Sequence, residues 1–179
     1  MNRSVVISGC SGGGKSTLLA EMQRRGFTVV EEPGRRVIRA QFLNCGKALP
    51  WIDLKAFLHC VVDVALEDIA SFGKSSDWVF FDRSLVDAIA GLRHLGVTSV
   101  LKEIDLAGFY HSRVFLTPPW SEIYVQDAER RHTLDTATAE YERLLQVYPS
   151  LGYDVTVIPK TSVMKRADFV LDQLKNCDK

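Results

Sequence analysis

The 179 residues suffice for one domain, and 46% hydrophobic with 25% charged residues is the mix of a packed globule, not of a disordered chain. Twenty-two basic and 22 acidic residues cancel, so no overall field draws the chain to nucleic acid or to an anionic membrane, and any anion site has to be built locally. No apolar run approaches the roughly 18 residues of a membrane span, and the start, Met1-Asn2-Arg3-Ser4-Val5, lacks the apolar stretch of a secretory signal.

Val5–Ser8 reads as a short strand, apolar on consecutive residues as in a strand covered on both faces. Ser16–Arg25 has helical spacing, with Leu18, Leu19 and Met22 on one stripe, and stops at Gly26. Phe27–Val30 is a second strand, ended by Glu31-Glu32-Pro33. Leu54–Ile69 carries a broad apolar face over four turns. Trp78–Phe81 is a third strand, followed by Asp82 and a segment from Ser84 that looks helical. Arg113–Leu116 and Val155–Ile158 complete the strands, and Ala137–Val147 and Ser162–Leu174 the helices. No repeat or linker splits the chain. Strands alternating with helices predict a three-layer α/β domain over residues 1–179, with a five-stranded parallel sheet and helices on both faces. The four cysteines (Cys10, Cys45, Cys60, Cys177) form no C-x-x-C pair and no metal-ligand spacing, which fits reduced thiols in the cytoplasm.

The first strand runs into Gly9-Cys10-Ser11-Gly12-Gly13-Gly14-Lys15-Ser16-Thr17, a full match to G-x-x-x-x-G-K-[ST] placed between a strand and a helix, as that motif requires. Gly9, Gly12, Gly13 and Gly14 let the backbone wrap close to phosphate oxygens, and Ser11 keeps the loop small. Successive N–H groups then form an anion nest, completed by the positive end of the following helix. Lys15 can reach the β- and γ-phosphates of ATP, the Ser16 hydroxyl can take a Mg²⁺ coordination position, and Thr17 closes the motif. A P-loop fold also needs an acid at the end of a further strand to orient Mg²⁺ or its water, and Asp82 has that position. It could instead cap the helix that follows.

Glu32 puts a carboxylate at the end of the second strand, where it could take the proton of an attacking hydroxyl or bind metal through water. The bland alternative is an acid favouring a helix N-terminus. Arg35 and Arg83 lie near the carboxyl edge of the sheet and could hold an anionic acceptor by bidentate contacts, whereas Arg36 and Arg39 read equally well as solvent-facing. Ser121–Thr138 is polar and charged and follows the fourth strand, where kinases place a lid (about 119–138) that closes over phosphates. Arg130 and Arg131 are its candidates for neutralising charge on the transferring phosphoryl group; a solvated charged helix is the plainer reading of the same run. Trp51, Phe57, His59 and Asp63, on or beside the long helix, could line an acceptor pocket or belong to the core.

Taken together, Gly9–Thr17, Glu32-Pro33 and Asp82-Arg83-Ser84 resemble the P-loop nucleoside and nucleotide kinases. In deoxynucleoside kinases a Glu-Pro after the second strand supplies the catalytic base, and an acid-Arg-Ser triplet ends the third. Glu32–Arg35, Asp82–Arg83, Thr117–Trp120, Asp127–Arg130 and Gly152–Pro159 more closely resemble the small predicted ATPases of the AAA-domain group related to the ribosylnicotinamide kinase domain. That resemblance covers most of the chain and implies a kinase-like core with a mobile lid. Absent are the Asn-Lys-x-Asp and Thr-Lys-x-Asp guanine readers, the Leu-Ser-Gly-Gly-Gln of transporter ATPases and the Asp-Gly-Phe-Pro-Arg of adenylate kinases.

The expectation is a Mg²⁺-dependent, ATP-using phosphotransferase acting on an unidentified small molecule, as a monomer or homodimer. The rival is a nucleotide-operated switch that hydrolyses ATP slowly and signals to a protein partner.

Overall fold

The computed structural model describes residues 2–73, 75–97, 106, 108–124 and 133–175. Its five strands are β1 (Ser4–Gly9), β2 (Thr28–Val30), β3 (Val79–Asp82), β4 (Arg113–Thr117) and β5 (Asp154–Val157). All pair in parallel, in the order β2-β3-β1-β4-β5. Between them run α1 (Lys15–Arg24), α2 (Pro33–Leu43), α3 (Leu54–Phe72), α4 (Leu85–His94), α5 (Leu134–Ser150) and α6 (Val163–Lys175), with a short 3₁₀ turn at Ser121–Ile123.

The period-2 geometry of a strand divides its apolar side chains between two cores. Val5, Ile7, Phe80 and Phe115 face α1 and α6, packing with Leu18, Met22, Ala167 and Val170. Val6, Phe81, Val114 and Leu116 point the other way, toward Val62 of α3, Ile89 of α4 and Leu144 of α5. This is the three-layer α/β sandwich expected from the sequence. The inner strands β1 and β3 are buried at every position. The edge strand β5 departs from the expectation of two covered faces. Its Asp154 and Val157 are exposed because β5 is the edge of the sheet and no further strand among the described residues pairs with it.

The second strand is also shorter than its β-branched run suggests. It ends at Val30, and Pro33 opens a helix instead of only ending a strand. Proline at the first helical position sacrifices no hydrogen bond, and its fixed φ suits the helix. The carboxyl ends of β1, β2, β3 and β4 therefore bring Gly9, Glu32, Asp82 and Thr117 to one edge of the sheet. Ile7 lies opposite Asp82 and Gly9 opposite Thr117, which fixes the P-loop between β3 and β4.

Candidate nucleotide site

The loop from Gly9 to Gly14 joins β1 to α1 as its sequence requires. Gly14 precedes the helix in the left-handed region (φ 79°), and Gly12 shares it (φ 81°). Phosphate approach is not the sole demand for glycine here. A Cβ at Gly12 would sit 2.4 Å from the Tyr124 ring, and one at Gly14 2.7 Å from Nη1 of Arg166. Gly13 is covered by Thr117 and Pro118, and its N–H donates to the Cys10 carbonyl (3.1 Å), so this N–H is already engaged within the loop. The orphan N–H groups of the first turn of α1 carry no such internal constraint.

Lys15 is buried, and its Nζ lies 3.4 Å from the Cys10 carbonyl. Burial lowers its pKa, aided by Arg83, while Asp82 and Glu32 oppose the fall. Ser16 and Thr17 are exposed; the Thr17 hydroxyl donates to the Gly14 carbonyl (2.9 Å).

Asp82 ends β3 as predicted, and its Oδ1 is buried with no hydrogen-bond partner among the described residues. Burial pushes its pKa up to about 6, with Lys15 pulling the other way. Helix capping falls instead to Ser84, whose hydroxyl accepts from the Val86 N–H. Asp87 reaches back to the Ser84 N–H (2.9 Å) to complete a capping box.

Between Asp82 and Ser84, Arg83 adopts φ 65°, a left-handed conformation that costs a non-glycine residue energy. Its N–H donates to the Ile7 carbonyl (3.0 Å), holding the turn against the sheet. Its guanidinium meets three carboxylates: Glu140 of α5 at 2.7 Å, Glu32 at 3.2 Å and Asp87 at 3.2 Å. Burial works against its charge, but these acids outweigh it and hold the pKa well above the ordinary arginine value. Asp87 in turn accepts from the Tyr148 hydroxyl (2.6 Å) and from the Ser8 hydroxyl, which ties α4, α5 and β1 together behind the site.

Glu32 stands at the N-cap of α2, but its side chain makes no cap. It turns toward Arg83 and toward Arg35 Nε (3.4 Å). Glu31, the neighbouring acid, pairs outward with Arg39, and Arg36 pairs with Asp68 of α3. The Glu-Glu pair is thus divided between surface and site.

Lys15, Ser16, Thr17, Glu32, Arg35, Arg83, Ser84, Asp87 and Glu140 border one cavity of about 820 Å³, whereas Asp82 lies just behind its wall, beside a small pocket shared with Glu31, Asp68 and Tyr110. At one end its wall is P-loop: Ser11, Gly12 and Gly14 to Thr17. At the other it is apolar, with Ile38, Phe57, Leu58 and Val61. Glu32, Arg35 and Arg83 are also in its wall. Phe57 is therefore a wall residue, whereas Trp51, His59 and Asp63 are not; Trp51 instead packs on Phe42. Arg130 and Arg131 lie outside the described residues, so the fold places neither. The sequence reading missed Asp87, Glu140, Trp120 and Arg166. The Ser84-x-x-Asp87 spacing was a signal for the first; the others come from elements distant in sequence.

The geometry is that of a nucleotide site at the carboxyl edge of a parallel sheet. Residues 4–166 match the model of the AAA domain family. The chain belongs to that family. No curated protein matches this AAA domain in sequence. Among solved structures, deoxyadenosine kinase from M. mycoides, with its products dCMP and a flexible dCDP bound, aligns with a TM-score of 0.71 at 13% identity, over 97% of this chain and 99% of that one. Shikimate kinase from Acinetobacter baumannii, in complex with shikimate, aligns at 0.60 and 13% identity, over 97% of this chain and 93% of that one. Shikimate kinase from Aquifex aeolicus aligns at 0.60 and 12%, over 98% of each chain. At such identities the likeness is one of fold, and the fold is that of P-loop phosphotransferases.

Proposed function

We propose that the protein is a Mg²⁺-dependent kinase that transfers the γ-phosphoryl group of ATP to a small acceptor of nucleoside or nucleotide type. The observation that carries this reading is the second compartment. A site that only hydrolyses nucleotide needs the cradle; this cavity continues past it into an apolar space beside Phe57 and Leu58, with Glu32 and Arg83 in its wall. The switch reading gives that space no task.

Lys15 would supply positive charge to the β- and γ-phosphates, and bound phosphate would relieve its burial. Glu32 would accept the proton of the acceptor hydroxyl at a carboxylate oxygen, and its pairing with Arg83 keeps that carboxylate aimed. Arg35 and Arg83 would orient an anionic or polar part of the acceptor, with the flat apolar part against Phe57. Arg130 and Arg131 would close over the transferring group from the lid.

The residues present fit a magnesium ion. Mg²⁺ keeps most of its water and takes few protein ligands, and here Ser16 offers a hydroxyl while the partnerless buried Oδ1 of Asp82 offers a carboxylate oxygen. When bound, the ion supplies charge neutralisation on the phosphate oxygens. A cytoplasmic setting suits the free thiols Cys45 and Cys60.

The test is a panel of nucleosides, nucleotides and hydroxy acids screened for ADP release with Mg²⁺ and ATP. At least one acceptor should raise release far above the basal rate. A basal ATPase that no acceptor accelerates, together with nucleotide-dependent binding of a protein, would put the switch in place of the kinase.

A further inference from the structure

Two arginines line the same cavity, and their surroundings differ in kind. Arg83 has three carboxylates around it. Arg166, on the first turn of α6, is 4% exposed and has no ion pair among the described residues. Burial alone acts on its pKa, and lowers it. Its Nη1 donates to the Gly14 carbonyl (3.0 Å) and its Nη2 to the Thr17 hydroxyl (3.3 Å), while its Nε is buried without a partner among the described residues. The guanidinium lies 5.5 Å from the centre of the Trp120 ring. A buried cation stacked on an aromatic face, touching the phosphate loop and lacking a counter-charge, is incomplete by itself.

The cradle and Lys15 take the β- and γ-phosphates, so the phosphate nearest the ribose falls beyond them along the first turn of α1, at Thr17. Arg166 is at that point. The cavity wall there continues through Ile123, Val163 and Trp120, which brings an indole face to the end where the base must lie. We propose that Trp120 and Arg166 form the seat for the base end of the donor nucleotide, the base stacking on the Trp120 indole and the Arg166 guanidinium meeting the α-phosphate. This assignment rests on the P-loop being the donor site. It explains why Trp120, at the exit of β4, meets Arg166 of the last helix, and why Arg166 reaches Gly14, where a side chain larger than hydrogen would strike the guanidinium.

Stacking reads the base and nothing else, so a base-free polyphosphate separates it from every phosphate contact. Binding of ATP and of tripolyphosphate is measured by calorimetry on the whole chain, wild type and variants, with circular dichroism to confirm folding. Trp120→Leu should weaken ATP by about 5- to 150-fold, the range for one base on one aromatic ring, and leave tripolyphosphate within about twofold. Trp120→Phe should restore most of the ATP affinity. Arg166→Met should weaken both ligands, by roughly 10-fold or more. In a Trp51→Phe, Trp78→Phe background, ATP should change the Trp120 emission and tripolyphosphate should not, a readout that holds even where Trp120→Leu folds poorly. Equal losses for both ligands in Trp120→Leu, or ATP binding indifferent to that change, would overturn this assignment alone. Wild-type protein that binds neither ligand would overturn the donor-site reading and this assignment with it.

Discussion

The two ends of the cavity are built on opposite plans. The cradle end is mostly backbone, compressed into the consecutive residues Gly9 to Thr17, and its charged groups are ill at ease: burial lowers the pKa of Lys15 and raises that of Asp82 to about 6. The end around Arg83 is mostly side chain, drawn from α2, α3, α4 and α5, and its central cation is answered by Glu32, Asp87 and Glu140. One end is completed by its ligand, the other is already complete. An incomplete end should lose binding when altered, whereas a preorganised end should lose rate.

The sharpest way to break this comparison is Lys15→Ala. It removes a buried cation that the core does not need, since its only hydrogen bond among the described residues is a long one to the Cys10 carbonyl. Triphosphate affinity should fall steeply and turnover should drop to background, while thermal stability holds or rises. A folded Lys15→Ala protein with wild-type affinity and turnover would remove the P-loop from the function.

Asp82→Asn comes next. It keeps the shape of the side chain and removes the charge proposed to attract Mg²⁺. Metal-ion stabilisation of the phosphoryl group is worth several kcal/mol, so kcat should fall by about 10³-fold while metal-free nucleotide binding survives or tightens. A Mg²⁺ titration curve equal to that of the wild type would make Asp82 a group of the fold only.

The contrast also accounts for what the sequence discloses. A backbone cradle needs glycines at fixed spacing, so Gly9 to Thr17 names it with no knowledge of the fold. The strand that supplies Asp82 is legible for a related reason, because apolar residues followed by an acid can end at only one edge of a parallel sheet. Glu32 was placed correctly at that edge, yet its partners were not legible: Glu140 lies 57 positions from Arg83, and only the packing of α5 against α4 brings them together. Arg166 is 152 positions from Gly14 and sits in a helix whose pattern gives no hint of a site. Sites made by local backbone are written in the sequence, whereas sites made by helices converging from a distance become visible only in the fold. The same limit applied to Trp51, His59 and Asp63, which shared a segment with Phe57 but lie outside the cavity wall.

Glu32→Gln probes the preorganised end. The change leaves Arg83 with Asp87 and Glu140, so the fold should hold. With an acceptor in hand, ATP affinity should stay near wild type and kcat should fall by roughly 10²–10⁴, the range for losing a general base. Loss of metal affinity instead would recast Glu32 as a group that holds the water around Mg²⁺. An acceptor-dependent rate indifferent to the change would take Glu32 out of the mechanism.

The smallest effect belongs to a group in neither end, and it separates fold from site. Glu21, toward the far end of α1, accepts hydrogen bonds from Arg24 Nε (2.7 Å) and Nη2 (2.8 Å) and from Arg25 Nε (2.7 Å). The hydrogen bonds of Arg24 and then Arg25 hold its pKa down, from 4.5 to about 2. A carboxylate whose pKa is depressed by folding stabilises the fold above its unfolded value. That contribution fades as the pH falls from about 4.5 through about 2. Pairs at the surface contribute little even where, as here, the carboxylate is covered by its arginines, so Glu21→Gln should lower Tm at pH 7 by no more than about 3 °C. The gap to wild type should close on acidification toward pH 2, and turnover at pH 7 should not change. A gap that widened on acidification would reverse the sign assigned to Glu21. Lost turnover with stability intact would mean that the back of α1 is coupled to the cradle at its front, and the division between an incomplete end and a finished frame would have to be redrawn through the helix itself.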